Sequence, residues 1–484
     1  MKSAVFNRAV FMGVGAVIRR MSESATASTG ATKRLCEFVA AVSYDDIPED
    51  VIDHATLMIR DTFGVSLAAT VSDPFEHVYA AKRAEIEGSE PHARVLGTPL
   101  AGVLGDAALL NGMLAHALDF DDVHPDMGGH PSSPILSALL PVAERRSASG
   151  EELLHAFIVG TEVEITLANV LNPGHYERGW HPTAILGTLG AAVAVGVLLE
   201  QGSETLRRTV GIAASQASGI KANFGTMTKS YHVGRAAASG IEAARLADAG
   251  FTANPDVLEE EFGGFCDLFE GTPEHDFDGH LDALGDPWKV TTPRVGFKPY
   301  PCCGSTHGAI DAAMAAREKL GGDVVPDDVA AVEISAHSRR LGHTNRPVPQ
   351  TRLDAKFSAQ YCVLAALVDG DLWFDQFDPK TVTAMNRQEA LKHVTVHERP
   401  DDFAGDEWGA AVRVTLVDGT TVSARVPSPT GTADNPMSDT ALVQKYRRCA
   451  SRAINNECVE KSVNLLTTLN DLDDVTTILD VVTP

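Results

Sequence analysis

The residues best equipped for chemistry lie in one run, His116-Ala-Leu-Asp-Phe-Asp-Asp-Val-His-Pro-Asp-Met-Gly-Gly-His-Pro-Ser-Ser133, which holds four aspartates and three histidines. Three more polar islands interrupt apolar surroundings. Gly179-Trp-His-Pro-Thr-Ala184 carries His181; Gly225 to Arg235 carries Lys229 and His232; Lys298-Pro-Tyr-Pro-Cys-Cys-Gly-Ser-Thr-His307 carries Lys298, Cys303 and His307. Imidazoles titrate near neutrality and can take a proton from carbon or return one. Lysines and helix N-termini bind carboxylates, and an ammonium stabilises the charge that grows on a carboxylate as an enolate forms. The set points to a lyase or isomerase acting beside a carboxylate, with no metal and no redox cofactor.

Such residues act together only if the elements around them bring them together. Leu110, Met113, Leu114, Ala117 and Leu118 recur at helical spacing, so Asp119 is expected at the C-terminal end of a buried helix, with His116 on the same face. Ser132 or Ser133 can cap the next helix, with Pro134 in its first turn, which leaves His130 in the short connection between the two. Pro182 suits a first helical turn and puts His181 at the mouth of an apolar helix. Ser149 followed by Glu152 is a capping-box pattern.

Amphipathic segments follow one another from Lys33 to about Gly250: 33–42, 47–69, 75–86, 100–119, 134–146, 150–171, 182–200, 203–219 and 231–249, with at most a short strand near Val95. The pattern changes near Asp286. Helices are expected at 306–320 and 356–368, strands at 329–336 and 393–398, and a hairpin over 412–426 about Asp418-Gly419. Helix returns after a Pro-rich break and runs to about Leu469. The expected fold is mainly α: a large helical domain (33–290 and 428–484) with a smaller inserted α/β lid (291–427), and a cleft between them as the pocket. Residues 1–32 are set aside as a disordered lead-in, Met21 being a plausible start.

A net charge of −25 argues against nucleic acid or an anionic membrane as partner. Ala184 to Leu199, an uncharged apolar stretch, falls short of the roughly 18–20 residues of a membrane span. Arg8 interrupts the apolar start, so a signal peptide is not expected. Seven cysteines without framework spacing read as reduced thiols in a cytoplasmic protein. There is no HExxH, CxxC, GxGxxG, P-loop or GxSxG pattern.

Taken in order, His116-Ala-Leu-Asp-Phe-Asp-Asp, His130-Pro-Ser, Gly179-Trp-His, Thr228-Lys with His232 and Gly234, Gly263-Gly-Phe and Lys298-Pro-Tyr-Pro-Cys-Cys-Gly-Ser-Thr-His resemble the MmgE/PrpD family from about Lys33 to the C-terminus. That family contains 2-methylcitrate dehydratases, cis-aconitate decarboxylases and iminodisuccinate epimerase. The resemblance implies a homodimer with a helical domain and an α/β lid, working without metal on a small polycarboxylate. By similarity to the decarboxylase branch, Asp119, His130, His181 and Lys229 are the expected catalytic positions. His232, Lys298, Cys303, His307 and Arg346 are the expected substrate contacts. Val123 stands where the animal decarboxylases have threonine, and Cys303 where they have histidine, as in the fungal ones. Dehydration and decarboxylation both remain open, with epimerisation of a dicarboxylate as the alternative. A non-catalytic helical dimer is a further reading. A magnesium-dependent prenyl-chain enzyme is disfavoured, because Asp121, Asp122 and Asp126 have no second acidic motif to match them.

Overall fold

A computed structural model describes residues 30–483 apart from 89, 272–274, 400–402 and 404–406. Most of the expected lead-in, and Met21 with it, lies outside the described residues; the first helix already begins at Ala31. The fold is mainly α. Its body is built around five helices: α1 (Leu104–Ala117), α2 (Ser132–Arg146), α3 (Gly150–Leu171), α4 (Pro182–Leu198) and α5 (Thr228–Asp248). Helix α4 is apolar on every side and almost wholly buried, as a helix enclosed by others must be. Among the described residues only α3 is long and apolar enough to cross a membrane, and 89% of its apolar window is buried inside the fold.

Small residues set how closely these helices approach. A Cβ on Gly112 would lie 2.7 Å from the Gly234 Cα, and one on Gly234 would run into the Leu109 carbonyl. Helices α1 and α5 therefore touch backbone to backbone, which only glycine permits. This contact brings the start of α5, with Lys229, beside the end of α1. Helix α3 opens with the expected box: the Ser149 N–H donates to Glu152 at 2.7 Å and the Glu152 N–H donates to the Ser149 hydroxyl at 3.2 Å.

The smaller unit has its own apolar core, drawn from residues between Cys302 and Ala424. Its elements are α6 (His307–Lys319), α7 (Ser338–Thr344), α8 (Ala359–Asp369) and a four-stranded sheet. The strands are β1 (Val329–Ala336), β2 (Val394–Glu398), β3 (Ala410–Leu416) and β4 (Thr421–Val426), in the order β2-β1-β3-β4. β1 runs parallel to β2 and antiparallel to β3, and β3–β4 is the hairpin about Asp418-Gly419. Gly419 takes φ +88° in that turn. The chain leaves the body near Gly296 and returns near Gly431, where the two crossings lie side by side: the Phe297 N–H donates to the Gly431 carbonyl at 2.8 Å. Helix α9 (Asp439–Ala450) then packs back on the body.

One local expectation is overturned. Neither Ser132 nor Ser133 caps α2, whose N-cap is Pro131 with no side-chain bond. Their hydroxyls donate instead to Asp122 and, at 2.6 Å, to Asp121. Buried carboxylates claim these donors ahead of the helix end.

Candidate active site

The site is organised by the turn that ends α1. Asp119 adopts φ +53°, a left-handed conformation that Asp and Asn tolerate better than other side chains. It breaks the helix and leaves three successive carbonyls without helical partners. Each is taken by a lysine from a different part of the chain. Lys356 donates to the Leu118 carbonyl at 2.6 Å, Lys298 to that of Asp119 at 2.9 Å, and Lys445 of α9 to that of Phe120 at 2.9 Å. The Phe120 ring is pinned edge-on by Trp373 and Phe374. A helix C-terminus favours cations, and these three come from the lid, the crossing segment and the body.

The turn aims the Asp119 carboxylate at two ammonium groups. Lys229 reaches Oδ1 at 2.8 Å and Lys298 reaches it at 2.9 Å, while His130 Nε2 stands 3.8 Å away. Burial works to raise the Asp119 pKa, but Lys229 and Lys298 outweigh it and hold the carboxyl well below its usual range. Burial also opposes the Lys298 ammonium, and Asp119 with Asp121 keep its pKa above the ordinary value.

Three imidazoles form the adjoining wall. The His116 and His130 ring centroids lie 4.7 Å apart, and those of His116 and His181 5.7 Å. His116 Nδ1 is 2.7 Å from Asp121. His130 Nδ1 is 2.6 Å from the Asp122 carbonyl, which can only accept, so Nδ1 carries the hydrogen and Nε2 holds the lone pair. His181 Nδ1 is 3.2 Å from His232 Nδ1, and its Nε2 is buried without a partner. Burial, reinforced by neighbouring cations, pushes His130 down to about 3 and His181 well below its ordinary value. Both rings are neutral at pH 7. Asp122 is pushed the other way by burial, with Asp121 adding, while the Ser132 hydrogen bonds oppose the rise.

These groups face a cavity of about 220 Å³ between body and lid. Asp119, His130, His181, Lys229, Lys298 and Cys303 line it. His232 stands behind His181. His307 and Arg346 are set apart from the cavity. His307 turns its Nε2 toward the Cys302 carbonyl, 3.3 Å away, and lines a neighbouring cavity of about 400 Å³ that shares Lys298. Arg346 pairs with Asp354 at 3.0 Å, behind the Phe357 ring that lines the site.

Sequence reasoning assigned no role to His116 or Asp121, although both lie in the opening run. It missed Lys356 and the lid helix α7, which brings Arg339, Arg340 and His343 to the cavity. His343 Nε2 lies 3.1 Å from the Ser305 hydroxyl and 3.6 Å from the Cys303 thiol. Among the described residues one group could gather a metal ion, His116, Asp121 and His130, with donor atoms within 4.8 Å of one another. It suits a dication poorly, because His130 Nδ1 already carries its hydrogen and two ammonium groups stand alongside.

The structure is thus a helical body and an α/β unit with a lysine- and histidine-lined cavity between them. The family model of the MmgE/PrpD N-terminal domain matches residues 33–278 and that of the MmgE/PrpD C-terminal domain matches 300–471. The chain belongs to the MmgE/PrpD family, and it is a lyase of that family. It is 31% identical to cis-aconitate decarboxylase of Homo sapiens over 454 residues, covering 92% of each chain. It is 30% identical to the mouse (Mus musculus) cis-aconitate decarboxylase over 92% of this chain and 91% of that one. Cis-aconitate decarboxylase-like protein oryM of Aspergillus oryzae is 30% identical over 94% of this chain and 97% of its own.

Proposed function

We propose that the protein decarboxylates a small polycarboxylate of the cis-aconitate class by acid–base catalysis without metal, as a cytoplasmic homodimer. One observation carries the reading: two ammonium groups and two neutral imidazoles line a single cavity, with a third imidazole, His116, packed against that pair. The names of the relatives support decarboxylation over dehydration or epimerisation. Lys229 and Lys298 hold a carboxylate conjugated to the reacting carbons. When a second carboxylate leaves as carbon dioxide, its bonding pair moves through the double bond onto the first, which becomes an enolate held by the lysines. The enolate carbon then takes a proton from an imidazole, which recovers one from water. The His130 lone pair makes it the base of the set. His181 is the donor when His232 supplies the hydrogen shared between their Nδ1 atoms, leaving a proton on His181 Nε2. A polyanion beside these rings raises their affinity for protons, so the proton arrives with the substrate.

Proton NMR of the purified protein with cis-aconitate, 2-methylcitrate and iminodisuccinate, with release of carbon dioxide followed in parallel, tests this. The expected outcome is carbon dioxide from cis-aconitate. His181→Ala and Lys229→Ala should each lower turnover on the order of 10² or more with the fold intact. Near-normal rates in both, or dehydration as the sole reaction, overturn the reading.

A further inference from the structure

The cationic groups of the cavity fall into two sets. The inner set, Lys229 and Lys298, shares one carboxylate, Asp119. The outer set comes from the lid: Arg339 and Arg340 of α7, both lining the cavity, share one carboxylate, Glu407. Arg339 stands 3.5 Å from it and is 42% exposed. Arg340 is 92% buried at its side chain, with its guanidinium 3.5 Å over the Trp408 ring. Its Nε is buried and has no hydrogen-bond partner among the described residues. A buried guanidinium N–H without an acceptor is costly unless something else supplies one. Two guanidinium groups over one carboxylate leave a net positive charge facing the cavity. Glu407 thus occupies part of a site that could hold a second anion.

We propose that Arg339 and Arg340 form a second carboxylate subsite, so that the substrate is gripped at two poles and loses the carboxylate that neither pole holds. The proposal rests on the polycarboxylate reading above and extends it to how one carboxylate is selected. A carboxylate paired with a cation is stabilised in its ionised form, and that stabilisation is forfeited as it becomes neutral carbon dioxide. Cation pairing therefore holds a carboxylate back from leaving. The cavity also carries an uncharged patch: His130 and His181, both neutral, and the Phe224 ring, 4.9 Å from that of His181. A carboxylate set there is desolvated with no cation to hold it, beside the imidazoles that protonate the carbon it leaves. The bond to carbon dioxide breaks at that wall, and the two retained carboxylates stay bound at the poles.

Calorimetric titration with tricarballylate, a saturated tricarboxylate that cannot form the conjugated enolate, tests the subsite independently of turnover. Arg340→Met is expected to weaken binding about 10- to 100-fold, the usual range for losing a charge-assisted bond. Arg339→Met, an exposed position that leaves the fold undisturbed, should weaken it about 3- to 10-fold. Glu407→Gln frees both arginines and should tighten binding by a similar factor, a sign that a merely structural ion pair would not produce. The subsite falls if both arginine variants bind within twofold of the wild type, or if Glu407→Gln binds more weakly. Wild-type protein that shows this pattern yet releases no carbon dioxide from any polycarboxylate removes the decarboxylase reading and leaves the subsite standing.

Discussion

The body and the lid contribute to one cavity in different ways. In the body, site residues sit at the ends of long buried helices, and the aspartates are each fixed by two bonds: Asp119 by two lysines, Asp121 by His116 and Ser133, Asp122 by the N–H and the hydroxyl of Ser132. In the lid, the corresponding residues ride on the seven-residue helix α7, and apart from the buried Arg340 their contacts are looser, such as Arg339 to Glu407 at 3.5 Å and Cys303 to His343 at 3.6 Å. The body is built to hold charges in place, whereas the lid carries cations to a ligand. Removing a body charge should therefore damage both stability and rate, while removing a lid group should touch binding or rate with little effect on stability.

The largest effect is expected at Asp119. Asp119→Asn keeps a side chain suited to the left-handed turn, so the change isolates charge from backbone. Two buried ammonium groups lose their common partner, and breaking a buried pair from one side costs about 3–5 kcal/mol. Turnover should fall on the order of 10² or more, because Lys229 and Lys298 are no longer held together. Urea titration and steady-state rates check both effects. A variant with the wild-type midpoint and rate would erase the contrast between the two units.

The next effect is on pH dependence. In the body, burial lowers the pKa of His54, His116, His124, His130, His155, His175, His181 and His232; in the lid it does so for His343. A group with a depressed folded pKa contributes stability that is present above the unfolded value. That stability is lost as pH falls toward the folded value. The window runs from the unfolded histidine value of about 6.5 down to about 3 for His130 and about 4 for His54, His124, His175, His232 and His343. Asp122 and Glu164, both raised by burial, act oppositely: they favour the fold at low pH, and that advantage is lost as pH rises through their folded values. They are outnumbered, so the melting temperature should fall between pH 7 and pH 5. Glu164→Gln, which removes one opposing group, should steepen that fall. Calorimetry across this range decides it, and a flat profile would show that the buried imidazoles are not held neutral.

How much of this was legible in the sequence follows the same division. The body helices announce themselves by apolar period and by caps such as Ser149 with Glu152. The strand 329–336 and the hairpin about Asp418-Gly419 are equally plain. Helix α7 is not, because Ser338-Arg-Arg-Leu-Gly-His-Thr344 has no apolar stripe, and nothing in the sequence marks its arginines before the fold buries Arg340 at the cavity. The four polar islands pointed at the cavity because clustered histidines and lysines are rare in apolar surroundings. What no spacing reveals is pairing across the chain. Nothing near Lys356 or Lys445 in sequence says that each takes a carbonyl of the turn at 118–120, more than 200 residues away for Lys356 and more than 300 for Lys445. The roles of Ser132 and Ser133 were missed for a similar reason: helix caps are local and predictable, but a buried carboxylate nearby outbids them.

The smallest effect on stability, and the sharpest test of the contrast, is expected at Lys356. It belongs to the lid by sequence yet ends in the body, 2% exposed, with its ammonium on the Leu118 carbonyl at 2.6 Å. Burial lowers its pKa to about 8, with Asp119 partly countering, so the charge is held at a cost. Lys356→Met keeps the length of the stem and removes that cost together with the bond. The cost of burying that charge and the loss of one hydrogen bond to the Leu118 carbonyl oppose one another and are of similar size, so stability should stay within about 1 kcal/mol of the wild type. The turn that aims Asp119 loses one of its three lysines and the lid loses an anchor, so turnover should drop by roughly 3- to 10-fold, the equivalent of one ordinary hydrogen bond. A rate loss with no loss of stability would assign Lys356 to positioning the lid against the turn. Parallel losses of both would make it part of the body's own framework.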